Sequence, residues 1–112
     1  MDASAQSITY AQARGQLAYY ELLESQGEMR QIKTQSDLEN HWKAWDSDQQ
    51  KRPPIGYILR IEGADPILSA DMVDEWWSRG MRSLSLAHFG LSSYAHGTGS
   101  SGGLLPRAAE LL

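Results

Sequence analysis

The segment Ile55-Gly56-Tyr57-Ile58-Leu59-Arg60-Ile61 has the pattern of a β-strand, and the fold class of the chain is predicted from it. It is a nearly continuous apolar run of the length of a strand, and Glu62-Gly63-Ala64-Asp65-Pro66 ends it. A run without polar alternation is typical of a strand that is buried on both faces, as in a parallel sheet. We therefore predict a buried strand over residues 55–61.

Helical and strand patterns alternate on both sides of this segment. We predict helices over about 10–26, 36–47 and 69–79, short strands over Met29–Lys33 and 82–87, a Gly/Ser-rich loop over 89–103 and a further helix from Leu104. Ser36 with Glu39 predicts a capping box for the second helix, and Gly27 and Gly80 predict the ends of the first and third. This alternation is typical of βαβ units, and it predicts an α/β fold with about three parallel strands.

Length and composition exclude several classes of protein. The chain has 112 residues, whereas a closed (β/α)₈ barrel needs roughly 250. A net charge of −4 leaves no basic face for nucleic acid. The absence of Cys excludes disulfides and thiolate metal sites. No apolar run approaches the ~20 residues of a membrane span, and the first residues do not resemble a signal peptide. We therefore expect a soluble chain, with the cytoplasm favoured.

The candidate functional residues are Glu62 and His88, each of which follows directly on a predicted strand. Neighbouring parallel strands end at the same edge of a sheet, and that edge carries the active site in α/β enzymes. A carboxylate and an imidazole there suit metal binding, acid–base chemistry or oxyanion stabilisation. The alternative is a solvated Glu and a hydrogen-bonded packing His. A cation would explain why a carboxylate interrupts an apolar run.

The other candidates carry weaker signals. His96 lies on the predicted loop, where it either contacts a substrate or faces solvent. The stretch Tyr94–Gly99 lacks the Lys and the spacing of a phosphate-binding loop. His41, beside Trp42 in a predicted helix, is interpreted as a packing residue. No HxH, HxD or HExxH pair occurs, so the chain has no self-sufficient zinc motif.

The order of these motifs resembles the membrane (renal) dipeptidase family of zinc metallopeptidases. IEGA (Ile61–Ala64), a Trp-rich helix and RGMRSLSLAH (Arg79–His88) are similar to the family's (V/I)EGG and LG(V/M)R…LTLTH segments. YAHGTG (Tyr94–Gly99) and GGL (Gly102–Leu104) are similar to the bacterial branch, where a GGLT turn opens the next helix. The resemblance covers nearly all of this chain and about a third of a typical family member.

The resemblance implies a metal-dependent hydrolase barrel of the TIM type that cleaves dipeptides with two zinc ions. Glu62 matches the carboxylate that bridges both ions, and His88 matches the histidine that contacts substrate and stabilises the oxyanion. Ala64 replaces the second Gly of EGG, and Ala87 replaces the Thr before the histidine. The family's HxD ligands would lie upstream of these residues and its two later histidine ligands downstream.

These features lead us to expect that residues 1–112 form a single partial domain, an internal segment of such a barrel that binds zinc weakly and is inactive alone. The alternative is a non-catalytic α/β module that binds a partner or regulates an enzyme. A homo-oligomer is a further possibility, because a partial barrel exposes sheet edges and apolar helix faces.

Overall fold

The computed structural model describes residues 3–47 and 51–112, which form a mixture of helices and parallel strands. In chain order the elements are α1 (Ala3–Ser25), β1 (Met29–Gln31), α2 (Gln35–Asp46), β2 (Ile55–Tyr57), β3 (Leu59–Glu62), α3 (Met72–Ser78), β4 (Met81–Ser85) and a 3₁₀ helix (Pro106–Glu110). β1 pairs with β2 and β3 pairs with β4, both in parallel. The predicted α/β class and parallel pairing are confirmed. The described strands form two two-stranded sheets and no closed barrel.

The apolar segment is divided between the two sheets. Its first half, β2, pairs residue for residue with the three residues of β1, from Met29 opposite Ile55 to Gln31 opposite Tyr57. Ile58 follows and belongs to neither strand. The second half, β3, then pairs with β4. The prediction of one unbroken strand over 55–61 is therefore wrong, because β1 is too short to pair beyond Tyr57 and the segment changes partner at Ile58.

β3 is also buried on one side only, contrary to the expectation of a strand buried on both faces. Leu59 and Ile61 are buried, and the alternate residues Arg60 and Glu62 are exposed. The two buried side chains belong to a core that α1, α3, β4 and the turn after β3 complete with Leu17, Ile67, Trp76 and Met81. One face of β3 is thus covered by helices while the other remains polar.

The helix ends follow local signals, with one correction at the start of α2. Gly27 and Gly80 follow α1 and α3 at φ of 77° and 110°, as predicted for glycine stops. The capping box consists of Thr34 and Asp37, not of Ser36 and Glu39: the Thr34 hydroxyl accepts from the Asp37 amide at 3.0 Å and the Asp37 carboxylate accepts from the Thr34 amide at 3.2 Å. A further bond from the Lys33 amide is the main reason that the pKa of Asp37 is lowered.

Other boundaries differ from the predicted ones. α1 begins at Ala3 instead of near 10, and β1 and β4 end at Gln31 and Ser85. α3 begins only at Met72, after a turn. The Met72 amide closes this turn by donating to Ser69 O at 3.0 Å. The helix predicted from Leu104 is a short 3₁₀ turn that begins at Pro106. Within residues 3–47 and 51–112, no helix combines the length and the apolar character that crossing a membrane requires.

Candidate functional site

Glu62 and His88 lie in contact at the carboxyl ends of β3 and β4. Glu62 is the last residue of β3, and His88 comes three residues after the end of β4. His88 Nδ1 is 2.9 Å from Glu62 Oε1, and the two side chains are 72% and 56% exposed. The structure therefore brings together the two residues that we expected at one edge of the sheet.

Backbone and side-chain bonds beyond the strands hold this edge. The Gly63 amide donates to the Ser85 hydroxyl at 3.0 Å, and the Ala64 amide donates to Leu86 O at 3.1 Å. Gly63 has a φ of 86°, which favours glycine at the turn directly after Glu62. These bonds continue the β3–β4 pairing past both strand ends, so they fix the separation of the two segments that carry Glu62 and His88.

Asp65 and Ser92 anchor the loop after His88. Neither residue was singled out from the sequence. The Asp65 carboxylate is buried and accepts from the Ser93 amide at 2.8 Å. The Ser92 hydroxyl donates to Leu86 O at 2.7 Å and accepts from the amides of the two residues that follow Ser93, at 3.0 and 3.1 Å. The sequence marks Asp65-Pro66 only as a turn, and no local signal links Asp65 to a residue 28 positions away.

Two glycines allow this loop to pack against the backbone of His88. The Thr98 amide donates to His88 O at 3.0 Å, and the Gly99 amide donates to Phe89 O at 2.7 Å. A Cβ at Gly97 would collide with the backbone of His88 and its neighbours, and a Cβ at Gly99 would collide with the Phe89 ring. Gly97 and Gly99 are therefore explained by this close approach to the backbone of His88 and to Phe89.

His96, the third candidate, is engaged within the loop. Its Nδ1 is 3.0 Å from the Ser100 hydroxyl, its amide donates to Gly103 O at 3.0 Å, and its ring packs against Gly102. Among the described residues, His96 does not form a three-membered ligand group with Glu62 and His88. His41 lies against Gly56 and edge-on to Trp45, which agrees with its interpretation as a packing residue.

The described residues fall short of the zinc site that the resemblance implies. Among them, no group of three or more His, Cys, Asp or Glu side chains is arranged to hold a metal ion. Zinc sites in proteins use three or four such ligands. Glu62 and His88 provide two donor groups, and these contact each other. Further ligands would have to join this pair before it could hold zinc tightly.

A cavity lies beside Glu62, between α1 and β3. Its volume is about 370 Å³, and its walls include Gln12, Gln16 and Leu17 of α1 and the four residues Leu59–Glu62 of β3. The sequence did not predict this cavity, because it depends on how α1 packs over the edge of a strand more than forty positions away.

The geometry defines an α/β protein with a carboxylate–imidazole pair at the carboxyl end of a parallel strand pair. No protein-family model, curated protein or solved structure matches this chain. A function has to be argued from the residues themselves.

Proposed function

We propose that this chain is part of a zinc-dependent dipeptidase of the TIM-barrel type and that it contributes Glu62 and His88 to the active site. The observation that carries the proposal is the 2.9 Å contact between these side chains at the carboxyl ends of two parallel strands. Enzymes built from βα units bind and convert their substrates at that end. The resemblance to the dipeptidase family, which rests on motifs that include both residues, independently favours the same pair.

The contact defines what the imidazole can do. When Nδ1–H donates to Glu62, a neutral His88 presents the lone pair of Nε2 and a protonated His88 presents an N–H there. The protonated form can donate to the oxyanion of a tetrahedral intermediate, which is the role that the resemblance implies for His88. The ring is 72% exposed, so Nε2 remains accessible to a substrate. Glu62 would orient the ring, and its carboxylate would be available to a cation.

A non-catalytic binding module is the alternative, and the exposure of the pair favours it. Catalytic groups act most strongly in sites that exclude water, whereas Glu62 and His88 are both more than half exposed. Under the dipeptidase proposal, residues outside this pair must cover it. Under the alternative, the pair stays open and no substrate is hydrolysed.

The two functions are distinguished with the complete gene product, supplied with zinc and assayed with a panel of dipeptides. We expect Glu62→Gln to lose bound zinc, measured by atomic absorption, and to lose turnover. His88→Ala should retain zinc and lose about 10²–10³-fold in kcat, as when one oxyanion donor is removed. Glu110→Gln, at an exposed residue of the 3₁₀ helix, is the matched control and should behave as the unmodified protein.

Either of two results would overturn the proposal. Full activity of both site variants would remove Glu62 and His88 from the active site. A zinc-supplied gene product that hydrolyses no dipeptide would favour the binding module.

A further inference from the structure

The outward face of α1 carries an apolar stripe that is separate from the face that packs on the core. Leu17 is buried in the core with residues of β3 and α3, and Gly15 lies on the opposite side of the helix. Ile8, Tyr19 and Leu22 lie within about 40° of Gly15 around the helix axis. Their side chains are 59%, 59% and 52% exposed. α1 is therefore apolar on two opposite faces, and the described residues cover one of them.

Gly15, in the middle of this stripe, is not explained by the packing of a single chain. Among the described residues, a Cβ at Gly15 would meet no atom within 4 Å. Glycine lowers the stability of a helix interior relative to alanine, so the fold of one molecule favours a larger residue there. The missing side chain leaves a shallow depression lined by Gln12, Gln16, Tyr19 and Tyr20. Such a depression allows the backbone of another helix to approach closely.

The stripe is complementary to itself when two copies of α1 run antiparallel. If the two Gly15 residues are in contact, each residue faces the one that is equally far from Gly15 in the other copy. Ile8 of one copy then meets Leu22 of the other, because both lie seven positions from Gly15. The same contact occurs twice, related by a two-fold axis, as in the isologous interfaces of homodimers. A second copy of this chain therefore fits the stripe.

The charges of α1 are compatible with this pairing. The charged residues of α1 are Arg14, Glu21 and Glu24, and each lies about 100° or more from Gly15 around the helix. Arg14 pairs with Glu75 at 2.9 Å within the same chain. Glu21 and its copy would lie at opposite ends of the pair, about 18 Å apart along the axis. The antiparallel pairing thus buries no charged residue of α1 and brings no two of its carboxylates together.

The size of the stripe predicts a weak dimer. A standard interface of about 800 Å² per partner uses about 20–30 residues. The outward half of α1 has ten exposed residues, namely Ser7, Ile8, Ala11, Gln12, Gly15, Gln16, Ala18, Tyr19, Leu22 and Ser25. They correspond to roughly 300–400 Å² per copy, which is the size of a reversible contact. We therefore expect association only at high protein concentration.

We propose that the outward face of α1 is a homodimer interface, in which two copies of the chain pair antiparallel about Gly15. Ile8 and Leu22 provide its apolar contacts, and the absence of a side chain at Gly15 allows the two helices to approach. The interface uses neither Glu62 nor His88, so it does not rest on the proposed function.

Sedimentation equilibrium of the 112-residue chain tests this interface. We expect a reversible monomer–dimer equilibrium between about 20 μM and about 2 mM, the range of weak association. Gly15→Glu should raise the dissociation constant at least tenfold, because it places a carboxylate against its own copy. Gln16→Glu is the matched control, since it adds the same charge about 100° further around the helix, and it should leave the dissociation constant nearly unchanged. Circular dichroism should show that Gly15→Glu folds, because the space beside Gly15 is open.

Disulfide cross-linking tests the direction of the pair. The chain has no Cys, and helix axes about 8–10 Å apart bring facing Cα atoms within reach of a disulfide. When the Ile8→Cys and Leu22→Cys variants are mixed and oxidised, the mixed disulfide should exceed the half that random pairing gives. A parallel pair would instead join each variant to itself.

Three results would overturn the inference. The first is a chain that stays monomeric over the whole concentration range. The second is association that Gly15→Glu leaves unchanged, because another face would then be responsible. The third is a mixed disulfide at or below the random proportion. None of these results bears on zinc binding or hydrolysis, so the interface and the proposed function can fail separately.

Discussion

The two parallel strand pairs share one apolar segment, yet they are covered very differently. In the β3–β4 pair, Leu59 and Ile61 pack into a core with α1 and α3. In the β1–β2 pair, Ile55 is 48% exposed, and α2, which connects the two strands, has no buried residue. The same apolar segment is therefore buried in the β3–β4 pair and partly exposed in the β1–β2 pair. The active-site candidates lie on the covered pair.

α2 carries an apolar stripe that remains exposed. Leu38, Trp42 and Trp45 follow each other at helical spacing, as the sequence indicates, and Trp42 is 70% exposed. Trp45 is held at the edge by its indole N–H, which donates to Pro54 O at 2.9 Å. Trp76 of α3 is the contrasting case, since it is buried and meets the Tyr10 ring edge-on. Tryptophan is therefore buried in the core in α3 and exposed to solvent in α2.

Exchanging these tryptophans for alanine gives the largest expected contrast. Trp76→Ala should lower the free energy of unfolding by about 3–5 kcal/mol, because it leaves a cavity in the core. Trp42→Ala should change it by less than about 0.5 kcal/mol, because an exposed side chain is removed. Urea denaturation followed by circular dichroism measures both. Similar losses for the two variants would show that α2 is covered in solution and would remove the contrast between the regions.

The buried Asp65–Ser93 bond is expected to have the next largest effect. Asp65→Ala leaves the Ser93 amide without its partner and should destabilise the fold by about 1–3 kcal/mol. Asp71→Ala is the matched control, because Asp71 is exposed and its side chain makes no capping bond to α3. Hydrogen exchange should also show faster exchange at Ser93 in the first variant only. Unchanged protection at Ser93 would contradict the anchoring role of Asp65.

We expect the stability of the fold to decrease at alkaline pH because of Tyr57, which belongs to the less covered β1–β2 pair. Burial of its hydroxyl, with smaller contributions from the charges of Glu24 and Glu21, raises the pKa of Tyr57 to about 12 from 10.0. Because the folded state disfavours the phenolate, stability is intact below pH 10 and falls as the pH rises from 10 to about 12. We expect a loss of about 1 kcal/mol or less, since solvent screens this site.

Titration of the absorbance at 295 nm measures the phenol directly, and Tyr57→Phe should abolish this part of the pH dependence. Tyr19→Phe, at an exposed tyrosine of α1, is the control that should leave it in place. A Tyr57 that titrates at its ordinary value would show that its hydroxyl is open to water.

The smallest effect on stability is expected at the candidate site itself. Glu62→Gln removes an ion pair whose partners are both more than half exposed, and such pairs contribute about 0–1 kcal/mol. Thermal unfolding should change by only a few degrees at most. A large destabilisation would mean that Glu62 supports the fold, and a loss of activity in this variant could then no longer be ascribed to the site.

Local sequence signals predict the elements of this fold better than their pairing. Glycine stops at Gly27 and Gly80 and the parallel α/β pattern are confirmed because each depends on neighbouring residues. The start of α2 shows the limit: Thr34 with Asp37 and Ser36 with Glu39 are both candidates for a capping box, and the structure contains the first. The division of the apolar segment at Ile58 could not be predicted, since it depends on the length of a partner strand.

The candidate site shows the same limit at longer range. Glu62 and His88 were predictable as neighbours, because each lies at or just after the end of one of two strands that pair in parallel. Asp65 was not, since its anchoring role depends on a loop 28 residues away. Whether the pair binds zinc or substrate stays a prediction.

Ile58 has a consequence for how the molecule opens. Because it belongs to neither strand pair, the hydrogen-bonded ladder of β1–β2 ends there and a separate ladder begins at Leu59. Proteins often open locally in cooperative units that coincide with supersecondary motifs. We expect the β1–β2 pair and α2 to open locally before β3 and β4, which requires the side-chain bonds from Gln31 to Arg79 O and from Arg82 to Lys33 O to break. Thermal fluctuation in the exposed half of the molecule would leave the geometry of the candidate site unchanged.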